Sequence, residues 1–203
     1  MANLSKPTIA AFDFDGTLTY HDSLLPFLRF IKGDCATIKN IFLEIPLFIL
    51  YLIGKANRQK VKEALLSRFL KGMSKQEIEI KAQKFAREII PQKLRPQALE
   101  RIHWHQKQGH RCILISANLD IYLKPWGQLV KFDRTITSKV AFSKEDFVTG
   151  KLEGLNCRGE EKVRRLLAEE GPREHYILYA YGDSAGDKEL LDIADYPFYQ
   201  RLS

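Results

Sequence analysis

At 203 residues the chain is long for one compact unit, which implies one large domain or a domain carrying an insertion and excludes a small scaffold held by staples. Hydrophobic residues at 45% and charged residues at 28% are enough to bury a core and exclude a disordered polymer. The balance of 32 Lys and Arg against 25 Asp and Glu leaves +7, a field that favours anionic partners: nucleic acid, a phosphorylated metabolite or a membrane surface. Cys35, Cys112 and Cys157 are odd in number and widely spaced with no CxxC pair, so neither a disulfide framework nor a zinc site is expected, and a reducing cytoplasm is the expected compartment. The opening MANLSKPTIAAFDFDG reaches acidic residues before any run long enough for a signal-peptide core, so no export signal is expected.

In chain order, Pro7 to Phe14 is a short apolar run that predicts a strand buried on both faces, closed by Asp15-Gly16. From Ser23 to Ile90 the apolar spacing becomes helical and predicts four helices: LLPFLRFI, IKNIFLEIPLFILYLI, RQKVKEALLSRFL and SKQEIEIKAQKFAREII, the last opening on a capping box at Ser74 and Glu77. A helix over Gln97–Lys107 and a buried strand over His110–Ser116 follow, then a short helix in DIYLKPWGQLV broken at Pro125. The stretch RTITSKVAFSKEDFVTGKLEG predicts a strand and then a hairpin, with turns at Thr149-Gly150 and Glu153-Gly154. A helix over Arg158–Glu170, a strand over Tyr176–Tyr181, a helix over Ala185–Ala194 and a last strand over Tyr196–Leu202 complete the pattern. Strand and helix alternate at both ends, the signature of a parallel α/β sheet covered on both faces. The all-helical stretch reads as an insertion after strand one, dividing the chain into a sheet domain (1–19 and 92–203) and a helical domain (20–91).

Chemistry concentrates where strands end. Ligands of open α/β sheets bind at the carboxyl ends of the strands, and strand one ends in Asp13-Phe14-Asp15-Gly16-Thr17. Asp-Gly alone is ordinary turn chemistry, but the whole DxDGT string is rare by composition. The later strand ends in Gly182-Asp183-Ser184-Ala185-Gly186-Asp187, where Asp187 is placed one helical turn after Asp183 on the same face; these acids could also cap a helix N-terminus. Together Asp13, Asp15, Asp183 and Asp187 gather four carboxylates at one sheet edge. That costs repulsion unless a divalent cation sits among them, and oxygen-only ligands point to Mg2+. Ser116 ends an apolar strand, so its hydroxyl and the N–H groups of Ala117 and Asn118 could meet a phosphoryl oxygen or simply cap a helix. Lys162 could neutralise the same oxygens from the start of its helix, or belong to a solvated face.

DFDGTLT, a Ser closing an apolar strand, Lys162 and GDSAGD, in that order, resemble the haloacid dehalogenase (HAD) superfamily of aspartate-nucleophile phosphohydrolases. The helical insertion and the GDSxxD form are similar to its phosphoserine-phosphatase-like branch, subfamily IB, with a HAD-like Rossmannoid sheet and a C1-type helical cap. The resemblance implies a nucleophilic Asp13, with Asp15 as general acid and base and its backbone carbonyl on Mg2+. It also implies Thr17 and Ser116 on the phosphoryl group, Lys162 as stabilising cation, Asp183 as metal ligand and Asp187 as outer ligand or orienter. Arg158, four residues before Lys162, competes for the cationic role because the spacing of that motif is loose. The implied reaction is phosphomonoester hydrolysis through an aspartyl phosphate, with transfer to another hydroxyl and a vestigial site in a membrane-associated interaction protein as the alternatives.

The resemblance also implies that the helical insertion sets the substrate. Asp22 falls where related phosphoserine phosphatases carry an acidic residue for the substrate amine. Arg58 and Arg68 could bind a carboxylate or second phosphate, or lie on a solvated face. Ile41–Ile53, IFLEIPLFILYLI, would extend only about 20 Å as a helix, too short to span a bilayer. It reads as insertion core, a dimer contact, or an interfacial helix bringing a basic surface to an anionic membrane. Monomer and homodimer both remain open, as do phosphoserine, another small ester and a phosphatidylglycerophosphate-like lipid as substrate. The expected location is cytoplasmic, with peripheral contact at the inner membrane face as the alternative. His103-Trp104-His105 reads as an ordinary amphipathic surface because positions two apart on a helix do not face each other, and no nucleic-acid module is present.

Overall fold

The computed structural model describes residues 6–202. The first five residues, on which the expectation of no export signal partly rests, and Ser203 lie outside the described residues. The elements are β1 (Thr8–Phe12), α1 (Leu24–Lys32), α2 (Asp34–Leu43), α3 (Ile45–Leu52), α4 (Arg58–Leu70), α5 (Lys75–Glu88), α6 (Pro96–Lys107), β2 (Arg111–Leu119), α7 (Asp120–Leu129), β3 (Arg134–Phe142), β4 (Val148–Glu153), α8 (Glu160–Glu170), β5 (Ile177–Gly182), α9 (Lys188–Asp192) and β6 (Tyr196–Tyr199). The sheet runs β4-β3-β2-β1-β5-β6, parallel throughout except for the antiparallel β3–β4 pair. β1 is the strand from which the order proceeds in both directions, so the carboxyl ends of β1, β2 and β5 form the switch-point crevice of an open sheet.

Alternation along the strands divides the core. Ala10 and Phe12 of β1 enter one apolar cluster, while Ile9 and Ala11 enter the other, as a period of two requires. The first cluster also takes in the helices between β1 and β2 together with α7 and β4. The second packs α8 and α9 against the opposite face. The two connections to the helical block run side by side: Thr19 bridges Leu94, and the Arg95 N–H donates to Leu18 O at 2.8 Å. At the far side, β4 docks on α4, with Gly150 at φ +84° and so close that a Cβ would lie 2.5 Å from Ser67 Cα.

Several details depart from the sequence reading. The block holds five helices between Leu24 and Glu88, because IKNIFLEIPLFILYLI divides into α2 and α3 with axes bent by 50°. Glu44 separates the two and Pro46 stands in the first turn of α3, where its missing N–H breaks nothing in the new helix but cannot extend the old one. The β3–β4 turn lies at Ser143–Asp146, where Ser143 Oγ accepts from the N–H groups of Glu145 and Phe147; Thr149-Gly150 is inside β4. β2 continues past Ser116 to Leu119 through a register irregularity, and α7 carries Pro125 without interruption. Asp187 precedes α9 at its N-cap position instead of lying within a helix. His103 and Trp104 are exposed as expected, but His105 is fully buried.

His105 Nε2 meets Tyr181 Oη and its Nδ1 meets His110 Nδ1, both at 2.8 Å. Burial, with the positive charges of His110 and Arg101, pushes the His105 pKa down to about 3. An unfolded histidine protonates near 6.5, so the unfolded chain takes up the proton first and this stability is lost as pH falls below about 6.5. Urea unfolding at pH 7 and pH 5 should show the stability advantage of the native protein over His105→Gln shrinking by about 2 kcal/mol. An advantage that does not change with pH would mean that His105 titrates as in the unfolded chain.

Candidate active site

Asp13 is the first residue beyond β1, anchored by its N–H to Tyr181 O at 2.9 Å, and its carboxylate is buried. Lys162, near the start of α8, sends Nζ between two acids, at 2.5 Å from Asp13 Oδ1 and 2.5 Å from Asp187 Oδ1. Asp187 uses its other oxygen to accept from Ser184 Oγ at 2.9 Å and from the Ser184 and Asp183 N–H groups. Thr17 Oγ1 donates to Asp13 Oδ2 at 3.4 Å. Asp13, Asp183 and Asp187 each place a carboxylate oxygen within 4.8 Å of the others. Gly16 makes this closeness possible: at φ +79° it stands where a Cβ would fall 2.1 Å from Asp183 Oδ2. The Asp-Gly pair is therefore both a turn and part of the cluster's wall.

Asp15 faces the other way. Its Oδ1 accepts from the Ser23 N–H at 2.9 Å and its Oδ2 from Asn118 Nδ2 at 2.5 Å. Burial, reinforced by the charge of Asp22, pushes the Asp15 pKa up to about 8. Burial also raises Asp13, but the Lys162 ammonium opposes it and the value stops at about 6. For Lys162 burial acts downward, yet the Asp13 and Asp187 carboxylates outweigh it and hold the ammonium protonated. Burial would raise Asp187 as well, but Lys162 and the Ser184 donors keep it below the usual carboxylate range. Ser116 is buried and accepts from the Asn118 N–H at 3.1 Å. Asn118 thus ties this end of β2 to Asp15.

The structure separates the cationic candidates. Lys162 is in the cluster, whereas Arg158 packs its guanidinium against Gly186 and makes no ion pair among the described residues. Arg58 is exposed and lies over the Tyr51 ring. Arg68 pairs with Glu44 at 2.9 Å. Neither is brought to the cluster. Asp22 caps α1 through the Leu24 N–H at 2.8 Å, with its charge felt at Asp15.

Lys62 of the helical block does reach the sheet edge, as Ser23 does. Its Nζ donates to Ala117 O at 2.6 Å and Asn156 Oδ1 at 2.8 Å. Burial lowers its pKa to about 8 against the pull of Asp22 and Asp15. Sequence spacing held no signal for it, since it is one Lys in a helix rich in them. Arg95, at the N-cap of α6, also had no sequence signal; it donates to Gly16 O at 2.6 Å and Thr19 O at 3.2 Å.

The donor set Asp13, Asp183 and Asp187 is all carboxylate, which fits a hard divalent cation such as Mg2+ and not a thiolate- or imidazole-seeking metal. A parallel sheet with helices on both faces defines an α/β protein whose acids lie in the switch-point crevice where such sheets bind their ligands. The sequence matches the family of haloacid dehalogenase-like hydrolases over residues 10–192, and the chain belongs to that family. It is 36% identical over 195 residues to Protein CicA of Caulobacter vibrioides, covering 96% of this chain and 86% of that protein. It is 26% identical over 204 residues to the inhibition of morphological differentiation protein of Streptomyces azureus, covering 96% and 72%. Its fold superposes on a protein with unknown function from Bordetella pertussis Tohama I at TM-score 0.82 and 25% identity, covering 95% and 89%. A substrate-bound phosphoserine phosphatase complex shares the fold at TM-score 0.65 and 18% identity, covering 96% and 86%.

Gly16→Ala tests the packing of the cluster. The new Cβ must displace Asp183 by roughly 1 Å, a shift that costs on the order of a hundredfold in rate when it falls on an active-site group. Steady-state hydrolysis of a phosphate ester should show that loss in kcat. A variant with native rates would remove Asp183 from the reacting centre.

Proposed function

We propose that the chain is a Mg2+-dependent phosphomonoesterase that works through an aspartyl phosphate on Asp13. The observation that carries this reading is a pair of carboxylates two residues apart in opposite electrostatic states: Asp13 against the Lys162 ammonium and Asp15 held protonated near neutral pH. Such divergence assigns a nucleophile and an acid. The phosphoserine phosphatase fold neighbours support the same chemistry.

An oxygen of Asp13 attacks phosphorus, the P–O bond to the leaving group breaks, and Asp15 gives its proton to the departing alkoxide. Asp15, now a carboxylate, takes a proton from water as that water attacks phosphorus and breaks the bond to Asp13. Orthophosphate leaves, and Asp13 and Asp15 return to their starting states. Thr17, Ser116, the Ala117 and Asn118 amides and Lys162 hold the phosphoryl oxygens. Asp13 and Asp183 carboxylates with the Asp15 carbonyl would hold Mg2+, and Asp187 keeps Lys162 in place. Bound there, the ion supplies positive charge to the phosphoryl oxygens.

On this reading residues 1–19 and 92–203 are the catalytic domain and 20–91 form a lid over it. Asp22 and Lys62 are its charged groups facing the substrate side, in place of Arg58 and Arg68.

Asp13→Asn should lower kcat by more than about a thousandfold with the fold retained, because Lys162 keeps Asp187 as its partner. Chelation should abolish hydrolysis and added Mg2+ restore it. A folded Asp13→Asn variant that still turns over would remove Asp13 as nucleophile. Hydrolysis unaffected by chelation would remove the metal.

A further inference from the structure

The largest surface feature not used by the site lies on α2 and α3. Ile38, Phe42 and Leu52 are 71%, 70% and 79% exposed, and Ile45, Ile49 and Ile53 are exposed with them. Positions 38 and 42, then 45, 49 and 52 or 53, recur three or four residues apart, so the exposed side of the pair is an apolar stripe. α3 buries none of its eight residues, although all of them are apolar or aromatic. A contiguous apolar surface of this kind marks an interaction site.

The charges around it are of one sign. Lys32, Lys39, Lys55, Arg58 and Lys60 flank the stripes and make no ion pair among the described residues. The two acids of the same stretch are neutralised: Asp34 pairs with Arg29 and Glu44 with Arg68. A second copy of the chain would bring these cations against one another, whereas anionic headgroups neutralise them. Neither helix alone is long enough to cross, and the pair has the length and apolarity of a span only when taken together. α2 and α3 extend about 15 Å and 12 Å, they are bent by 50°, and no single helix among the described residues is long and apolar enough for a span. Apolar stripes flanked by Lys and Arg on short bent helices fit the interfacial plane of a bilayer. A groove of about 670 Å³ between α1 and α2, with Phe30, Ile38 and Ile41 in its walls, shares Ile38 with the stripe and offers space to an acyl chain.

We propose that α2 and α3 seat this protein on the surface of an anionic lipid bilayer, apolar side chains entering the headgroup boundary and the flanking Lys and Arg meeting the lipid charges. This is independent of the phosphatase reading, since none of these residues belongs to the carboxylate cluster.

The test is co-sedimentation of the full chain with vesicles at low salt, comparing an equimolar mixture of phosphatidylcholine and phosphatidylglycerol with phosphatidylcholine alone. Binding is expected to the anionic vesicles only and to weaken with salt. Phe42→Asp combined with Leu52→Asp should lower it by at least about tenfold, with thermal stability and hydrolysis of a soluble ester unchanged. Failure to bind anionic vesicles overturns the proposal, as does binding that survives both substitutions. So does a dimer in solution that the double variant converts to monomer, because the occupant of the surface is then a second copy.

Discussion

The ammonium of Lys162, buried between Asp13 and Asp187, is the contact on which the rest of the site depends. It ties α8 to the residue that follows β1, 149 positions away in the chain, and to Asp187 beyond β5, 25 positions away. Burying three charges costs several kcal/mol per ion unless each finds partners. Here each does: Lys162 has two carboxylates, Asp187 adds Ser184 Oγ and two backbone N–H groups, and Asp13 adds Thr17. With both acids ionised the triad carries net negative charge, which suits a hard cation beside it. The third acid, Asp183, stands at the same place.

Asp13 and Asp15 show how neighbouring carboxylates are driven apart. Both are desolvated, but one sits against a cation and the other against the negative charge of Asp22, and their pKa values stand at about 6 and about 8. Asp22 and Ser23, which act on Asp15, open the helical block. The protonation of a sheet-edge acid is therefore set in part by how the first helix of that block begins. A change in the entry to α1 reaches the acid without touching the reacting atoms.

The sheet, its order of strands and helices and the acids at its edge were legible in the sequence because their signals are local: an apolar run, then Asp and Gly at short spacing. Lys162 was legible only as one of two, since loop spacing could not separate it from Arg158. In the structure Gly159, at φ +63°, is the N-cap of α8, so Arg158 precedes the helix and Lys162 lies in its first turn. Lys62, Arg95 and Asn118 were hidden or misjudged because their partners are tertiary. Asn118 was assigned through its amide alone, yet its side chain joins Asp15 to Ser23. His105 was read as surface because an i, i+2 rule excludes a pair but says nothing about which histidine faces inward. The division of α2 from α3 was signalled by Pro46, a breaker that the strength of the apolar run outweighed in the reading.

The helical block meets the sheet domain along two seams of different character. On one side α5 and α7 share the apolar cluster of Phe27, Phe85 and Tyr122, contacts that water cannot replace. On the other, α4 and β4 share the same apolar cluster through Leu66, Phe69, Val148 and Leu152, and α4 adds polar contacts around it: Gln59 with Gly154 O and the Asn156 N–H, Lys62 with Asn156 Oδ1 and Ala117 O, and Glu63 with the Leu152 N–H. Water can substitute for each of these at a net cost of only about 1 kcal/mol. These polar contacts are the ones that carry Lys62 to Ala117, the residue after Ser116. The position of Lys62 thus rests on the block's most exchangeable contacts, while the attachment of α4 and α5 to the rest of the chain rests on apolar packing.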